Sequence, residues 1–192
     1  MPLSAQNLLQ RLLHHWTSRP VRDDYRPVMQ GTVYLDTETT GLFGDVRIVE
    51  VAIVDHLGRP LVDTLVNPGI PIPWQASGVH GIHDEDVAGH QSLSQLMPQV
   101  NAAVRDRRVV IYNAAYDQRL FPCGLRQARA VHCAMRRFKQ LKLATGRGSG
   151  TLAAAATWAG HQWTGVAHRA LADALAARTV WAKLERERVP LV

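Results

Sequence analysis

The sequence predicts an α/β domain in which a group of strands comes first and helices follow. Three runs rich in β-branched and aromatic residues occupy residues 32–36, 48–54 and 61–66, which is the composition typical of strands. Residues 92–105 and 170–186 are predicted to be helices. A chain of 192 residues with 46% hydrophobic composition can bury a core of its own, so we expect one globular domain.

The first three strands are expected to form an antiparallel meander. A short, turn-like segment at residues 55–60 separates the second strand from the third, which favours a hairpin. A proline-rich loop at residues 68–73 follows, and residues 109–111 form a short fourth strand. Two more helices are predicted at residues 114–121 and 151–159.

The first 30 residues differ in character from the rest. Apolar side chains recur there at helical spacing in an otherwise polar and basic segment, which predicts a short amphipathic helix. These side chains are Leu8, Leu9, Leu12, Leu13 and Trp16. Pro20 and Pro27 then indicate an extended linker. We therefore divide the chain into a helix and linker, residues 1–30, and a main domain, residues 31–192. The helix packs either on the main domain or on a partner protein.

Composition and charge narrow the classes of function. Two cysteines and the lack of a secretory leader favour a cytoplasmic protein without disulfides. Apolar runs end well before the roughly 18 residues of a membrane span. The net charge of +6 favours a polyanionic partner. Residues 118–172 contain nine basic and no acidic residues, which indicates either a phosphate-binding surface or a solvated face without a partner.

Two acids stand at the end of the first strand. Asp36 and Glu38 are two residues apart, so strand alternation places both side chains on one face of the sheet. Buried carboxylates are unfavourable unless a cation or a proton compensates them. Thr39 and Gly41 follow, and a glycine lets the backbone approach a ligand. The alternative reading is a polar turn at the surface.

Further candidate residues lie much later in the chain. Asp117 falls in the first turn of a predicted helix, where helix capping alone also explains an acid. Asp173 lies in an alanine-rich helix, an unusual place for an acid unless it faces a site. His168 comes one or two residues before that helix and is therefore expected near the same cavity.

Taken together, these residues resemble the motifs of a known family. The segments at residues 36–41 and 113–117, and His168 with Asp173, closely resemble the three motifs of the DEDDh exonucleases. That family includes the epsilon subunit of bacterial DNA polymerase III, ribonuclease T and exonuclease X. Residues 78–86 are similar to its nucleotide-contacting loop. The resemblance covers about residues 32–182, with the motifs in the family's order.

The resemblance implies a fold and a mechanism. The fold would be a ribonuclease H-like mixed sheet of five strands flanked by helices. Two Mg²⁺ or Mn²⁺ ions would be held by the four motif acids, which are Asp36, Glu38, Asp117 and Asp173. His168 would deprotonate the attacking water. The activity would be 3′→5′ exonucleolytic and would release nucleoside 5′-monophosphates.

The resemblance also assigns contacts to the substrate. Thr39 and Gly41 would contact the terminal nucleotide through their backbone, His80 would lie against it, and Asn113 would steady the second motif. The family has histidine and phenylalanine where this chain has Tyr112 and Tyr116, so we expect a more polar pocket around the terminal base.

The sequence is compatible with more than one substrate and more than one partner. Single-stranded DNA is the first expectation, because the basic segment at residues 118–172 would attract it. RNA ends are the alternative substrate. A third reading is a proofreading subunit bound to a DNA polymerase through the N-terminal helix. Homodimers also occur in the family.

Overall fold

A computed structural model describes residues 31–145, 149–163, 165 and 168–187. The helix and linker predicted in residues 1–30 lie outside these ranges. The strands are β1 (Thr32–Thr39), β2 (Ile48–Val54), β3 (Pro60–Leu65), β4 (Arg108–Ile111) and β5 (Ala130–Cys133). The helices are α1 (Trp74–His80), α2 (Asp84–Val87), α3 (Leu93–Val104), α4 (Ala114–Asp117), α5 (Ala134–Thr145), α6 (Leu152–Ala159) and α7 (Ala170–Arg186), with a 3-10 turn at Gln118–Leu120.

The five strands form one mixed sheet in the order β3-β2-β1-β4-β5. The pairs β1–β2 and β2–β3 are antiparallel, whereas β1–β4 and β4–β5 are parallel. The predicted hairpin is confirmed: the Asp55 carboxylate accepts hydrogen bonds from the backbone N–H groups of Leu57 and Arg59 at 2.8 and 3.0 Å. Gly58 supplies the left-handed backbone that this turn needs, with φ +84°. The expected five-stranded mixed sheet flanked by helices is confirmed.

Helices cover both faces of the sheet, and the central strand β1 is buried between them. Val33 and Leu35 pack in a cluster with residues of α3, whereas Tyr34 packs in a second cluster with residues of α7. Because side chains alternate along a strand, Asp36 and Glu38 continue the face of Tyr34. The sequence of β1 therefore directs both acids toward α7, the helix that carries Asp173.

Four elements of the structure were not predicted. They are α1, α2, β5 and α5. The strand β5 has four half-buried residues and exists through its parallel pairing with β4. Within the described residues, the predicted strands and helices are present with ends shifted by a few residues, and the helix predicted at residues 114–121 consists of α4 and the 3-10 turn. Among the described residues, no helix is both long and apolar enough to cross a membrane. Cys123 and Cys133 are free thiols.

Candidate active site

Three carboxylates meet where β1 passes the start of α7. Oxygen atoms of Asp36, Glu38 and Asp173 lie within 4.8 Å of one another, and we call these three residues the acid cluster. Asp36 and Glu38 come from β1, and Asp173 lies in the first turn of α7. The structure thus brings together three of the four predicted metal ligands, although 135 positions in the sequence separate Glu38 from Asp173.

The fourth predicted ligand, Asp117, lies beside the acid cluster. It ends the short helix α4 and is 5% exposed. The Thr37 hydroxyl donates a hydrogen bond to Asp117 Oδ1 at 2.7 Å, which ties α4 to β1. The negative charge of Asp117 is close enough to raise the pKa of Asp36. Asp117 is not among the residues whose ligand atoms lie within 4.8 Å of one another. It therefore lies next to the acid cluster, at the edge of the site.

Burial and mutual repulsion make these acids hard to ionise. Burial raises the pKa of Asp36 well above its usual range, and the charges of Asp117 and Asp173 raise it further. Burial and the charge of Asp173 raise the pKa of Glu38 to about 8. Burial also raises the pKa of Asp117, to about 6, and that of Asp173. The site therefore favours a positive charge that would compensate the carboxylates.

The acid cluster fits a divalent cation. Asp173 Oδ1 is buried and has no hydrogen-bond partner, and a buried acceptor without a partner is rare in proteins. Every candidate ligand atom is a carboxylate oxygen, the type that hard cations such as Mg²⁺ and Mn²⁺ prefer. Asp36, Glu38 and Asp173 are therefore the residues that would hold such an ion, with Asp117 next to them.

His168 lies at the exposed entrance to this site. It comes two residues before α7 and has a left-handed backbone, φ +60°, which is uncommon outside glycine. Its charge and its backbone lie close enough to the Asp173 carboxylate to lower the pKa of Asp173, against the larger raising effect of burial. The predicted position of His168, just before the helix that carries Asp173, is therefore confirmed, and its side chain is exposed to solvent.

The loop after β1 is held from two sides. The Tyr116 hydroxyl donates to the carbonyl oxygen of Gly41 and lies 2.9 Å from Thr39 Oγ1. On the other side, His80 Nδ1 accepts from the Ile82 N–H at 3.0 Å, so Nε2 carries the proton and donates to the Thr39 carbonyl at 3.2 Å. Both ring nitrogens of His80 are thus engaged within the protein, and the ring is buried. His80 fixes the loop that contains Thr39 and Gly41.

The polar side chains of the second motif are engaged mainly within the protein. Asn113 is exposed at the start of α4, and its carbonyl accepts from the Tyr116 N–H at 2.8 Å. The Tyr112 hydroxyl lies 2.8 Å from the carbonyl oxygens of both Gly150 and Thr151, and its single proton is shared between these two acceptors. Because the hydroxyls of Tyr112 and Tyr116 are both used inside the protein, neither is free to make the pocket more polar.

Some residues beside the site were not identified from sequence. Glu50 on β2 and Arg169 before α7 form a salt bridge, with Arg169 Nη2 2.5 Å from Glu50 Oε1. Leu42 and Phe43, directly after Gly41, are 65% and 91% exposed. Leu42 and Phe43 directly follow the first motif, and this position could have identified them from the sequence. By contrast, no sequence pattern pairs Glu50 with Arg169, which is 119 positions away.

Several basic residues of the segment 118–172 that the structure describes lie apart from one another or pair with acids. Arg137 is buried against Glu185, and Arg169 pairs with Glu50. Arg119 lies over the Tyr116 ring, with Cζ 4.7 Å from the ring centroid. Arg129 lies just before β5, at the end of the sheet away from the acid cluster. Although these basic residues are close together in the sequence, those that the structure describes do not all lie on a single phosphate-binding face.

Comparison with known proteins identifies the family. The exonuclease family (RNase_T) matches residues 33–180. The uncharacterized exonuclease CP81 of Escherichia phage 186 is 36% identical over 158 residues, which are 73% of this chain and 81% of that protein. The DNA polymerase III subunit epsilon of Escherichia coli K12 is 31% identical over 101 residues, 44% of this chain and 39% of that subunit. The structure of exonuclease X in complex with 5′ overhanging duplex DNA has a TM-score of 0.65 and 26% identity, covering 80% of this chain and 90% of that one. The chain therefore belongs to the exonuclease family and is an exonuclease of the DEDDh type.

Proposed function

We propose that this exonuclease acts in the 3′→5′ direction on DNA, prefers single strands and releases nucleoside 5′-monophosphates. The observation that carries the proposal is the acid cluster, with its unpartnered Asp173 oxygen, beside the exposed His168. This arrangement supplies the negative ligands for cations and a base for water, the two requirements of metal-assisted phosphodiester hydrolysis.

Each site residue has a role in this proposal. Asp36, Glu38, Asp117 and Asp173 would hold two Mg²⁺ or Mn²⁺ ions. When bound, the ions would neutralise the carboxylates, hold the attacking water and stabilise the leaving oxygen. The His168 ring would accept a proton from that water as the new P–O bond forms. The bond from phosphorus to the 3′ oxygen of the preceding nucleotide would break, and that oxygen would take up a proton from solvent water to become the new 3′ hydroxyl, while the terminal nucleotide leaves with its 5′ phosphate.

The surroundings of the site suit the end of a strand. Leu42 and Phe43 are exposed directly after the Thr39–Gly41 loop, and apolar and aromatic side chains can stack on unpaired bases without selecting a sequence. The backbone of Thr39 and Gly41 would contact the terminal nucleotide, His80 would lie against it, and Asn113 would steady the second motif. The DNA bound to exonuclease X in the similar structure supports DNA as the substrate.

Digestion of end-labelled strands tests the proposal. The substrates are 3′- and 5′-labelled single-stranded DNA, the matching duplex, and RNA of the same sequence, each with Mg²⁺. We expect immediate release of labelled mononucleotide from the 3′ label and a ladder of shortening products from the 5′ label. Release of mononucleotides from the 5′ end, or the appearance of internal fragments, would contradict the proposed direction. Faster digestion of RNA than of DNA would contradict DNA as the preferred substrate.

A second candidate role is proofreading within a DNA polymerase. The similarity to a DNA polymerase III epsilon subunit favours it, and the helix predicted in residues 1–30 would be the docking element. Removal of residues 1–28 should then abolish association with the polymerase while single-strand digestion continues. Unchanged association after this deletion would rule out docking through that helix.

A further inference from the structure

Glu50 occupies an unfavourable position for an acid. In the antiparallel pairing of β1 with β2, Glu50 lies directly opposite Glu38, a member of the acid cluster. Glu50 is 3% exposed, and like charges directly opposite each other in a sheet are destabilising. A buried acid in this position therefore requires strong compensating interactions.

The start of α7 supplies these interactions. Arg169 donates from Nε to both Glu50 oxygens at 3.1 Å and from Nη2 to Oε1 at 2.5 Å. The backbone N–H of Ala170, the first residue of α7, donates to Glu50 Oε2 at 2.8 Å. One carboxylate thus binds both the guanidinium before the helix and the first amide of the helix. Such a multidentate, charge-assisted contact fixes geometry as well as charge.

The contact lies between two residues of the site. His168 comes immediately before Arg169 and has the left-handed backbone, which is unfavourable for a residue other than glycine. Asp173 is three residues after Ala170, and the charge and backbone of His168 are close enough to its carboxylate to lower the pKa of Asp173, against the larger raising effect of burial. Any movement of residues 169 and 170 would therefore displace the base and a member of the acid cluster together.

We propose that Glu50 and Arg169 are positioning residues, which lock the start of α7 onto β2 and so place His168 and Asp173 relative to Asp36 and Glu38. The proposal deepens the proposed function and rests on it for the role of His168. Neither residue is assigned to the acid cluster, and both act through the residues next to them.

Arg169→Gln gives the sharpest test, because charge and positioning predict opposite results. Removal of a positive charge near the carboxylates would by itself tighten the binding of a divalent cation. Loss of positioning should instead weaken Mn²⁺ binding by roughly 10-fold, within the range for residues that orient metal ligands. Mn²⁺ binding is measured by calorimetry without DNA, and kcat is measured at saturating single-stranded DNA, where we expect a decrease of roughly 10- to 100-fold.

A double-mutant cycle adds a second readout. If the pair acts as a unit, Glu50→Gln combined with Arg169→Gln should be no worse in kcat than the more damaged single variant. Glu185→Gln is the matched control, since it disrupts another Arg–Glu pair, which joins α7 to Arg137 of α5 about 22 Å further along α7 than Ala170. The control should lower Tm and leave Mn²⁺ affinity and kcat unchanged.

The outcomes separate this proposal from the proposed function. If the wild type does not shorten DNA from its 3′ end, the proposed function fails, and Mn²⁺ binding still tests the positioning. If the wild type is active and Arg169→Gln binds Mn²⁺ as tightly as the wild type or more tightly, with unchanged kcat, the positioning proposal is overturned. Equal losses in Arg169→Gln and Glu185→Gln would also overturn it, because they would indicate general destabilisation.

Discussion

Acids withdrawn from solvent in this molecule fall into two groups that differ in their neighbours. Glu50 and Glu185 each form a salt bridge with an arginine, Arg169 and Arg137 respectively. Among the described residues, no lysine, arginine or histidine forms a salt bridge with a member of the acid cluster, and one oxygen of Asp173 has no hydrogen-bond partner at all. The same residue types thus occur in opposite electrostatic environments. Glu38 and Glu50 belong to different groups even though they lie directly opposite each other on β1 and β2.

This difference indicates which acids have a structural role. An acid with an arginine beside it is compensated within the fold, and its removal takes away the charge that the arginine compensates. An acid without a protein partner destabilises the fold until something from solution neutralises it. Sites that perform chemistry commonly retain such unfavourable arrangements. The unpaired acids should therefore matter for activity and the paired ones for stability or positioning.

The largest expected effect is loss of activity from the unpaired group. Asp173→Ala should abolish DNA cleavage, because it removes a cation ligand from α7, and it should leave a folded protein. Circular dichroism and the digestion assay measure both properties, and EDTA should abolish wild-type cleavage in the same assay. Substantial Mg²⁺-dependent cleavage by Asp173→Ala would break the distinction between the two groups.

His168 should have the next largest effect. It comes immediately before the paired Arg169 and five residues before the unpaired Asp173, and its side chain is exposed. His168→Ala should lower kcat by roughly 100- to 10,000-fold, the usual contribution of a general base. Mn²⁺ binding measured by calorimetry should stay within about twofold of the wild type, since the carboxylates remain. A loss of Mn²⁺ affinity as large as that of Asp173→Ala would instead make His168 a ligand.

Most of the fold could be predicted because its signals are local. The β-branched runs of β1, β2 and β3 and the alanine-rich α7 are readable from composition alone. By contrast, β5 has no apolar run and forms because β4 offers it an edge. The helix α5 was missed although Ala134 and Phe138 lie four residues apart on its buried face, because the basic residues around them obscured the pattern.

The sequence was sufficient to predict which residues form the site. It was not sufficient to predict the hydrogen bonds and salt bridges that hold them in place. The motif resemblance identified the acid cluster, Asp117 and His168. It could not show that the Tyr116 hydroxyl binds the Gly41 carbonyl or that Glu50 binds Arg169, because such partners are chosen by the folded backbone. The basic segment illustrates the same limit, since two of its arginines pair with acids inside the protein.

The paired group should show its effect in stability. Glu185→Gln removes the carboxylate charge that pairs with the Arg137 guanidinium, whose side chain is 5% exposed. Breaking a buried pair in this way destabilises by about 3 kcal/mol, which lowers Tm by roughly 6–12 °C in a domain of this size. Thermal unfolding followed by circular dichroism measures the shift. A variant with wild-type Tm would show that the pairing of Glu185 contributes no net stability.

The smallest expected effect has the opposite sign and comes from neutralising an unpaired acid. Burial and the neighbouring carboxylates raise the pKa of Asp36, so its ionised form is unfavourable in the folded state and ordinary in the unfolded one. In EDTA at about pH 8, Asp36→Asn should therefore raise Tm by roughly 2–4 °C, the shift produced by about 1 kcal/mol.

Addition of Mg²⁺ should reverse the order of the two proteins. The cation binds the folded wild type and raises its Tm in proportion to the logarithm of the Mg²⁺ concentration, whereas Asp36→Asn has lost a charged ligand and should respond weakly. Neutralising the unpaired Asp36 and neutralising the paired Glu185 then shift Tm in opposite directions in EDTA. If both variants lose stability in EDTA, the acid cluster is already compensated within the protein, and the contrast between the two groups of acids does not hold.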